Sequence, residues 1–391
     1  MSCSIPEHSD VPLDVVPAVP SNRSRKGATT LADLTTIRVG GPIKELVEAE
    51  SEKEVIESVR YADEEHVPLL VLGGGSNVLA NDATFEGVVV RDMRSEITLV
   101  QEGGCEGANL RVLAGTAWDD VVVHSIENEW MGLESLSGIP GTVGAAPVQN
   151  IGAYGQEIST SVARVRVWDR QDLRTREFSM ADLHFGYRSS ILKESLTDGF
   201  GPTPRYVVLN VDLQLRIASL SAPIQYGQLA RLLGVEPGKR VPSTDVRAAV
   251  LELRRSKGMV LDDMDPDTFS CGSFFTNPVL TEAEAAELPP EAPRFAVSDQ
   301  SRAMLGVAAP TIPGQVKTSA AWLIDHAGFP AGYGLPAPAA LSTKHCLALT
   351  NRGGATGADV RALARTIQSG VHEAYGVELH PEPVVLGGLG S

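Results

Sequence analysis

The spacing of apolar residues changes period along the chain, and each change marks an element. Behind Ser51-Glu52-Lys53-Glu54, the residues Val55, Ile56, Val59 and Ala62 recur at helical spacing. That pattern predicts an amphipathic helix, with Ser51 and Glu54 as its capping box. Pro68 closes the stretch, and Leu69-Leu70-Val71-Leu72 is a short unbroken apolar run of the kind that forms a buried strand. Val88-Val89-Val90 predicts a second strand soon after. A helix is expected near Asp119–Glu129 with Thr116 as its cap, and strands around Val162–Val167 and Tyr206–Leu215. Two more helices are predicted near Thr318–Gly328 and Ala358–Tyr375. The second carries Val360, Leu363, Ile367 and Val371 at helical spacing and stops at Gly376. There is no internal repeat.

Composition narrows what such a chain can be. At 391 residues it exceeds one ordinary core, and about two to three domains are expected. Gly (38) and Pro (25) are plentiful, so tight turns should be common. No apolar run approaches the roughly 18 residues that span a bilayer. The first residues lack a basic region followed by an apolar one, so a signal peptide is not expected, and their Pro, Ser and charge content predicts a mobile tail through Lys26. The four Cys are far apart with no CxxC pair, which offers neither a zinc site nor a disulfide framework and fits a reducing compartment. A net charge of −16 disfavours nucleic acid and anionic membrane as main partners. A phosphate-rich ligand stays possible if loop amides and a few cations hold it locally.

Two glycine-rich stretches supply such amides. The first predicted strand runs into Gly73-Gly74-Gly75-Ser76-Asn77, where consecutive glycines let the backbone approach a ligand closely. It is not a dinucleotide fingerprint, because Val78 stands where the third glycine would fall, and no Lys-Ser or Lys-Thr follows as in a Walker A loop. The second stretch runs from Ser137-Gly138 through Gly141 and Gly144 to Asn150-Ile151-Gly152-Ala153. Each stretch alone is equally consistent with a tight turn; together they suit a long cofactor carrying a pyrophosphate and a flat ring.

Five strings then become specific. GGGSNVL, IPGTVGAAPVQNIGAYG, FGYRSSILK, SCGSFFTNP and PEPVVLG occur in the order found in UDP-N-acetylenolpyruvoylglucosamine reductases. The chain resembles that family, in its longer subclass, from about Thr29 to Gly387. The resemblance implies an α+β chain: a two-part FAD-binding fold of the vanillyl-alcohol-oxidase type plus a C-terminal α+β substrate domain. The implied division is a tail over 1–26, FAD-binding subdomains over 27–92 and 93–258, a substrate domain over 259–378, and a segment over 379–391 carrying Glu382. Non-covalent FAD would lie on Gly73, Gly74, Gly75, Ser76 and Asn77 and on Gly138, Gly141, Gly144, Asn150, Gly152 and Ala153. NADPH would be the co-substrate and UDP-N-acetylenolpyruvoylglucosamine the substrate, in a cytoplasmic monomer of peptidoglycan precursor synthesis.

The same resemblance carries residue roles. Arg188 in Gly-Tyr-Arg-Ser-Ser matches the family's active-site arginine, whose planar fork suits a substrate carboxylate. Ser273 matches its proton donor and Glu382 its catalytic carboxylate. Pro383, where many relatives have Val, leaves Glu382 between two prolines that bias it towards an extended backbone. Lys257 matches a phosphate-associated lysine, Asn277 a substrate-contacting asparagine, and Tyr226 a tyrosine on a loop that closes over the sugar nucleotide. His326 is assigned to a polar substrate contact, although a lone His is more often structural. Two other readings compete: a flavin oxidase, which often tethers FAD through a loop His that Gly75-Ser76-Asn77 does not supply, and a nucleotide-binding protein without turnover, against which Arg188, Ser273 and Glu382 together argue.

Overall fold

The computed structural model describes residues 13–21, 27–299, 302 and 309–389. A three-stranded parallel sheet forms first, from β1 (Ile43–Ala49), β2 (Leu69–Val71) and, past β3 (Val78–Leu79), β4 (Phe85–Asp92). β4 is central, pairing Leu46 with Val89 on one side and Leu70 with Val89 on the other. Val88, Val89 and Val90 are all buried, because both faces of the middle strand are covered. Helix α1 (Glu52–Glu64) covers one face with Val55, Val59 and Ala62. Its capping box is formed as expected: Ser51 Oγ accepts from Glu54 N at 3.2 Å, and Glu54 Oε2 accepts from Ser51 N at 3.0 Å.

The second sheet is antiparallel. It comprises β5 (Ile97–Gly103), β6 (Gly107–Leu113), β7 (Val162–Asp169), β8 (Arg174–Ser179) and β9 (Tyr206–Ile217), in the order β8-β7-β9-β6-β5. Its inner face packs on α2 (Trp118–Glu127), and Trp118, Val121, Val122 and Ile126 enter the largest core. The expected Thr116 cap is absent. Ala117 takes the capping position without a side-chain bond, and Thr116 Oγ1 instead accepts from Glu96 N at 3.1 Å, pinning the start of β5. Helices α3 (Gly227–Leu232) and α4 (Ser243–Ser256) close this part.

Beyond α4 a small sheet of β10 (Val279–Thr281), β11 (Arg294–Ser298) and β12 (Thr311–Thr318) precedes α5 (Ala320–His326). A hairpin of β13 (Ala339–Leu341) and β14 (Leu349–Asn351) packs with α6 (Gly357–Tyr375). Finally β15 (Val384–Val385) returns to the first unit and pairs with β3 in parallel, Val384 opposite Val78. Among the described residues no helix is long and apolar enough to cross a membrane, and no group of three or more His, Cys, Asp or Glu is placed to hold a metal. Cys271 and Cys346 are free thiols, whereas Cys105, at the exposed tip of the β5–β6 hairpin, is disulfide-bonded, contrary to the expectation of an all-thiol chain.

Candidate active site

The two glycine stretches meet face to face. At Gly74 a Cβ would lie 2.8 Å from the Cα of Gly141, and at Gly73 one would lie 2.6 Å from Thr142 Oγ1. Gly75 sits at φ +65, where a Cβ would run into the carbonyl of Leu34. Ser76 Oγ donates to Pro140 O at 3.3 Å, tying one loop to the other. Beneath them, Trp118 N at the start of α2 donates to Gly141 O at 3.1 Å. This bare double turn lines one side of a cavity of about 980 Å³.

On another wall stand the candidate catalytic groups. Arg188 is held at φ +53, at the tip of a turn in which Gly186 and Ser189 exchange backbone hydrogen bonds. Its Nη2 donates to Gly152 O at 2.9 Å and its Nη1 to Asn150 O at 3.4 Å, while Nε lies 3.1 Å from Glu382 Oε1. Gln149 Nε2 donates to the same carboxylate oxygen at 3.3 Å. Ser273 lines this cavity beside Phe274 and Phe275, two buried rings in edge contact. Phe274 fixes its position from both sides: its amide donates to Leu347 O and its carbonyl accepts from Glu382 N, each at 2.8 Å. The segments are thus stitched together at Glu382 itself and one residue from Ser273. Cys271, also on the wall, is pushed up to about 12 by burial, so it remains an unreactive thiol.

Four neighbours carried no assignment from sequence. Glu157 is pushed up by burial, against the pull of Arg188 and an Asn150 Nδ2 bond at 2.6 Å. Lys193 Nζ donates to the carbonyl of Arg188 at 3.0 Å, and burial lowers its pKa. Lys317, on β12, places Nζ 4.5 Å from the ring centre of Tyr187, and it too is lowered by burial. The Tyr187 hydroxyl accepts from Asn277 N at 3.3 Å. All these side chains except Asn150 line the cavity. Lys193 stood inside the quoted string FGYRSSILK, so a signal existed for it. Lys317 and Glu157 sit in ordinary polar strand and loop contexts, and only the fold brings them to Arg188.

The remaining assignments divide. Asn277, Lys257 and Tyr226 all reach the cavity. Asn277 Oδ1 accepts from Ala320 N at 3.0 Å, which anchors the start of α5. Lys257 Nζ donates to Gln228 Oε1 at 3.2 Å and lies 5.9 Å from the Tyr154 ring, against which half-exposed Tyr226 stands edge-on. Three assignments lie off the wall. His326 is stacked on Trp322 at 4.0 Å on the exposed side of α5, with Nδ1 2.9 Å from Trp322 O, so its helix register turns it away. Asn150 is fully buried, its amide committed to Glu157, Gly186 O and Ser159 N. Gly138 lies behind the loop, its amide on Asp119 and its carbonyl on Arg254.

The histidine that does face the cavity is His345. Burial and the nearby charge of Lys257 push it down from 6.5 to about 4, so it is neutral at physiological pH. Its folded pKa lies below its unfolded one, so the stability it carries is present above pH 6.5 and is lost as the pH falls towards 4. His345→Gln removes that titration. The variant is expected to lose about 3 kcal/mol less stability than the parent between about pH 7.5 and pH 4, read by denaturant melts. Equal losses would mean that the ring is solvated.

Comparison with known proteins agrees across the chain. A family model described as UDP-N-acetylenolpyruvoylglucosamine reductase, C-terminal domain, matches residues 265–386, and an FAD binding domain model matches residues 43–175. The chain is 50% identical over 359 residues to a UDP-N-acetylenolpyruvoylglucosamine reductase of Cutibacterium acnes, covering 91% of this chain and 89% of that protein. To the reductase of the same name from Thermobifida fusca it is 49% identical over 362 residues, covering 91% and 96%. A crystal structure of UDP-N-acetylenolpyruvylglucosamine reductase from Thermus caldophilus shares the fold, with a TM-score of 0.57 at 24% identity over 91% of this chain and 97% of that one.

Proposed function

The chain belongs to the UDP-N-acetylenolpyruvoylglucosamine reductase family, and we propose that its Arg188, Glu382 and Ser273 carry out the proton and charge chemistry of that reduction. It is an FAD-dependent oxidoreductase with the two-part FAD-binding fold and a C-terminal domain, and it reduces UDP-N-acetylenolpyruvoylglucosamine in peptidoglycan precursor synthesis. The observation that carries the residue assignment is the Arg188–Glu382 contact at 3.1 Å, with Ser273 on a segment bonded to that of Glu382.

The cofactor fits the residues present. Gly73 and Gly74 are held so close to Gly141 and Thr142 that any side chain on them would fill the space between the loops, which leaves bare amides for a pyrophosphate. Gly73–Asn77 and Gly141–Ala146 are therefore taken as the FAD cradle. Bound there, FAD would supply the hydride chemistry between NADPH and the enolpyruvyl double bond. The protein's own part is orientation and charge. Arg188 uses one N–H of each terminal nitrogen on backbone carbonyls, which leaves the second N–H of each to clamp the substrate carboxylate and to stabilise negative charge as it develops. Glu382 holds that guanidinium in register. Ser273 delivers its hydroxyl proton to the carbon next to the carboxylate, and the positive charges of Arg188, Lys193 and Lys317 favour the alkoxide left behind. Lys257 and Tyr226, at the Tyr154 side, are assigned to the nucleotide diphosphate and sugar. A cytoplasmic monomer is the working assembly, given the nucleotide substrate and NADPH.

The direct test is to record the visible spectrum of the purified protein and to follow NADPH oxidation with and without the enolpyruvyl sugar nucleotide. A protein that stays colourless and inactive with added FAD overturns the reading. Gly74→Val tests the cradle by itself. A Cβ there already meets Gly141, so the variant is expected to bind FAD at least about tenfold more weakly in a fluorescence titration, in keeping with the 1–3 kcal/mol typical of overpacking. Unchanged affinity would move the cofactor elsewhere.

A further inference from the structure

Residues 13–21 lie outside every role described so far, yet they end on one of the most deeply buried charges in the protein. Arg247, on α4, is fully buried, and its guanidinium forks onto both oxygens of Asp119 at 2.9 Å each. Two of its remaining donor directions are taken by this N-terminal segment: Nε bonds Val16 O at 2.6 Å and Nη2 bonds Pro17 O at 2.7 Å. From the other side, Val19 N donates to Asp119 Oδ2 at 2.8 Å. Val15 packs against the largest core cluster. Burial pushes the Asp119 carboxyl up, but the bonds and charge of Arg247 and the amides of Gly138 and Val19 outweigh it and hold the group below its ordinary range.

What the ion pair holds matters more than the pair. Asp119 Oδ1 accepts from Gly138 N at 2.7 Å, and the neighbouring Trp118 N donates to Gly141 O. The first two residues of α2 therefore grip both ends of the turn 138–141, whose Gly141 is pressed against Gly74. Arg254, two turns beyond Arg247 on α4, grips the same turn from behind by donating to Gly138 O at 3.1 Å. The chain of contacts runs without a gap from residues 16–19 through Asp119 and Arg247 to the glycine turn.

We propose that residues 13–21 are a strap that positions the cofactor cradle, acting through the Asp119–Arg247 pair on the Gly138–Gly141 turn. The proposal rests on the assignment of Gly141, at the end of that turn, to the cradle. A buried carboxylate with four donors cannot shift without breaking several of them, so with the strap in place the turn that carries Gly141 is fixed before any ligand arrives. Without it, water reaches Arg247 and Asp119, the pair loosens, and the turn must be ordered by the cofactor itself, which weakens binding. Val15, Val16, Pro17 and Val19 make no contribution to the reacting groups, so turnover with FAD in excess is unaffected.

Two variants test this. One lacks residues 1–21; in the other, Val19→Pro deletes a single donor to Asp119 and leaves the core untouched. FAD affinity is measured by quenching of flavin fluorescence, together with melts of the apoprotein. The truncated chain is expected to bind FAD about tenfold more weakly and Val19→Pro a few-fold more weakly, with kcat at saturating FAD within about twofold of the parent. A fall in apoprotein melting temperature with unchanged FAD affinity overturns the proposal, because a fastening that is only structural destabilises free and bound protein alike. Gly74→Val serves as the control. If it weakens FAD and the truncation does not, the strap falls alone; if Gly74→Val binds normally, the cradle and the strap fall together.

Discussion

Ser273→Ala is expected to leave the bleaching of the flavin band by NADPH intact while slowing its recovery on addition of UDP-N-acetylenolpyruvoylglucosamine by about 10²–10⁴-fold, the usual contribution of a positioned proton donor. The two half-reactions separate because Ser273 has no part in the first. Its backbone is fixed by the bonds of Phe274 to Leu347 and Glu382, which do not involve the hydroxyl, so the substitution removes one oxygen without moving the wall. Neither Phe274 nor Phe275 has room to shift, since both are fully buried. Stopped-flow absorbance reads both rates in one experiment. Recovery at the parental rate would assign the proton to another group, and Lys193 or a water held by it would be the first to examine.

Arg188→Ala should damage the same half-reaction by about 10²–10³-fold, the magnitude seen when one preorganised charge-stabilising donor is lost. It differs from the serine variant in where the loss appears. Because the guanidinium is assigned to the substrate carboxylate as well as to the developing charge, KM is expected to rise and kcat to fall, whereas Ser273→Ala acts on kcat alone. Two further consequences follow from the surroundings. Glu157 loses a cation that lowers its pKa, so its pKa moves further up. Glu382 loses the contact to Nε, leaving Gln149 as its hydrogen-bond donor. Arg188→Lys restores the charge without the fork, and the recovery it gives measures how much the planar, two-donor geometry matters. Arg188→Ala with parental KM and kcat would remove the residue from the site.

Much of the scaffold was legible because it is written locally. The capping box at Ser51, the buried run Leu69–Leu72 and the period of Val360, Leu363, Ile367 and Val371 each lie within a few residues of one another, and each forms as read. Thr116 was misread for a physical reason: its hydroxyl found a better use on Glu96, a strand neighbour that no local pattern announces. The site shows the same split. Arg188, Ser273 and Glu382 were found through ordered strings, and the fold gathers them around one cavity. No sequence signal covers Lys317, Glu157 and His345, since each reaches the cavity only when separate segments of the chain fold to one wall. His326 is named because it falls where the family often has a polar substrate contact; burial, which turns His345 towards the cavity, has no local signature in sequence. The tail was read as mobile from its composition alone, and nothing in Leu13–Ser21 hints that two of its carbonyls meet a buried arginine.

The pairing of β15 with β3 gives the site an order of assembly. Asn77, which donates to the carbonyl of Glu382, is separated from it by 305 residues. Closing a loop of that length costs about 5 kcal/mol of chain entropy, more than the few peptide hydrogen bonds between these short strands return. The pairing therefore becomes favourable only when the intervening units have already packed and shortened the effective loop. The two glycine loops meet through residues 73–76 and 140–142, close in sequence, whereas the carboxylate takes its place only through the returning C-terminal strand. The placing of Glu382 therefore depends on the whole topology, while the meeting of the glycine loops depends on a short stretch of it.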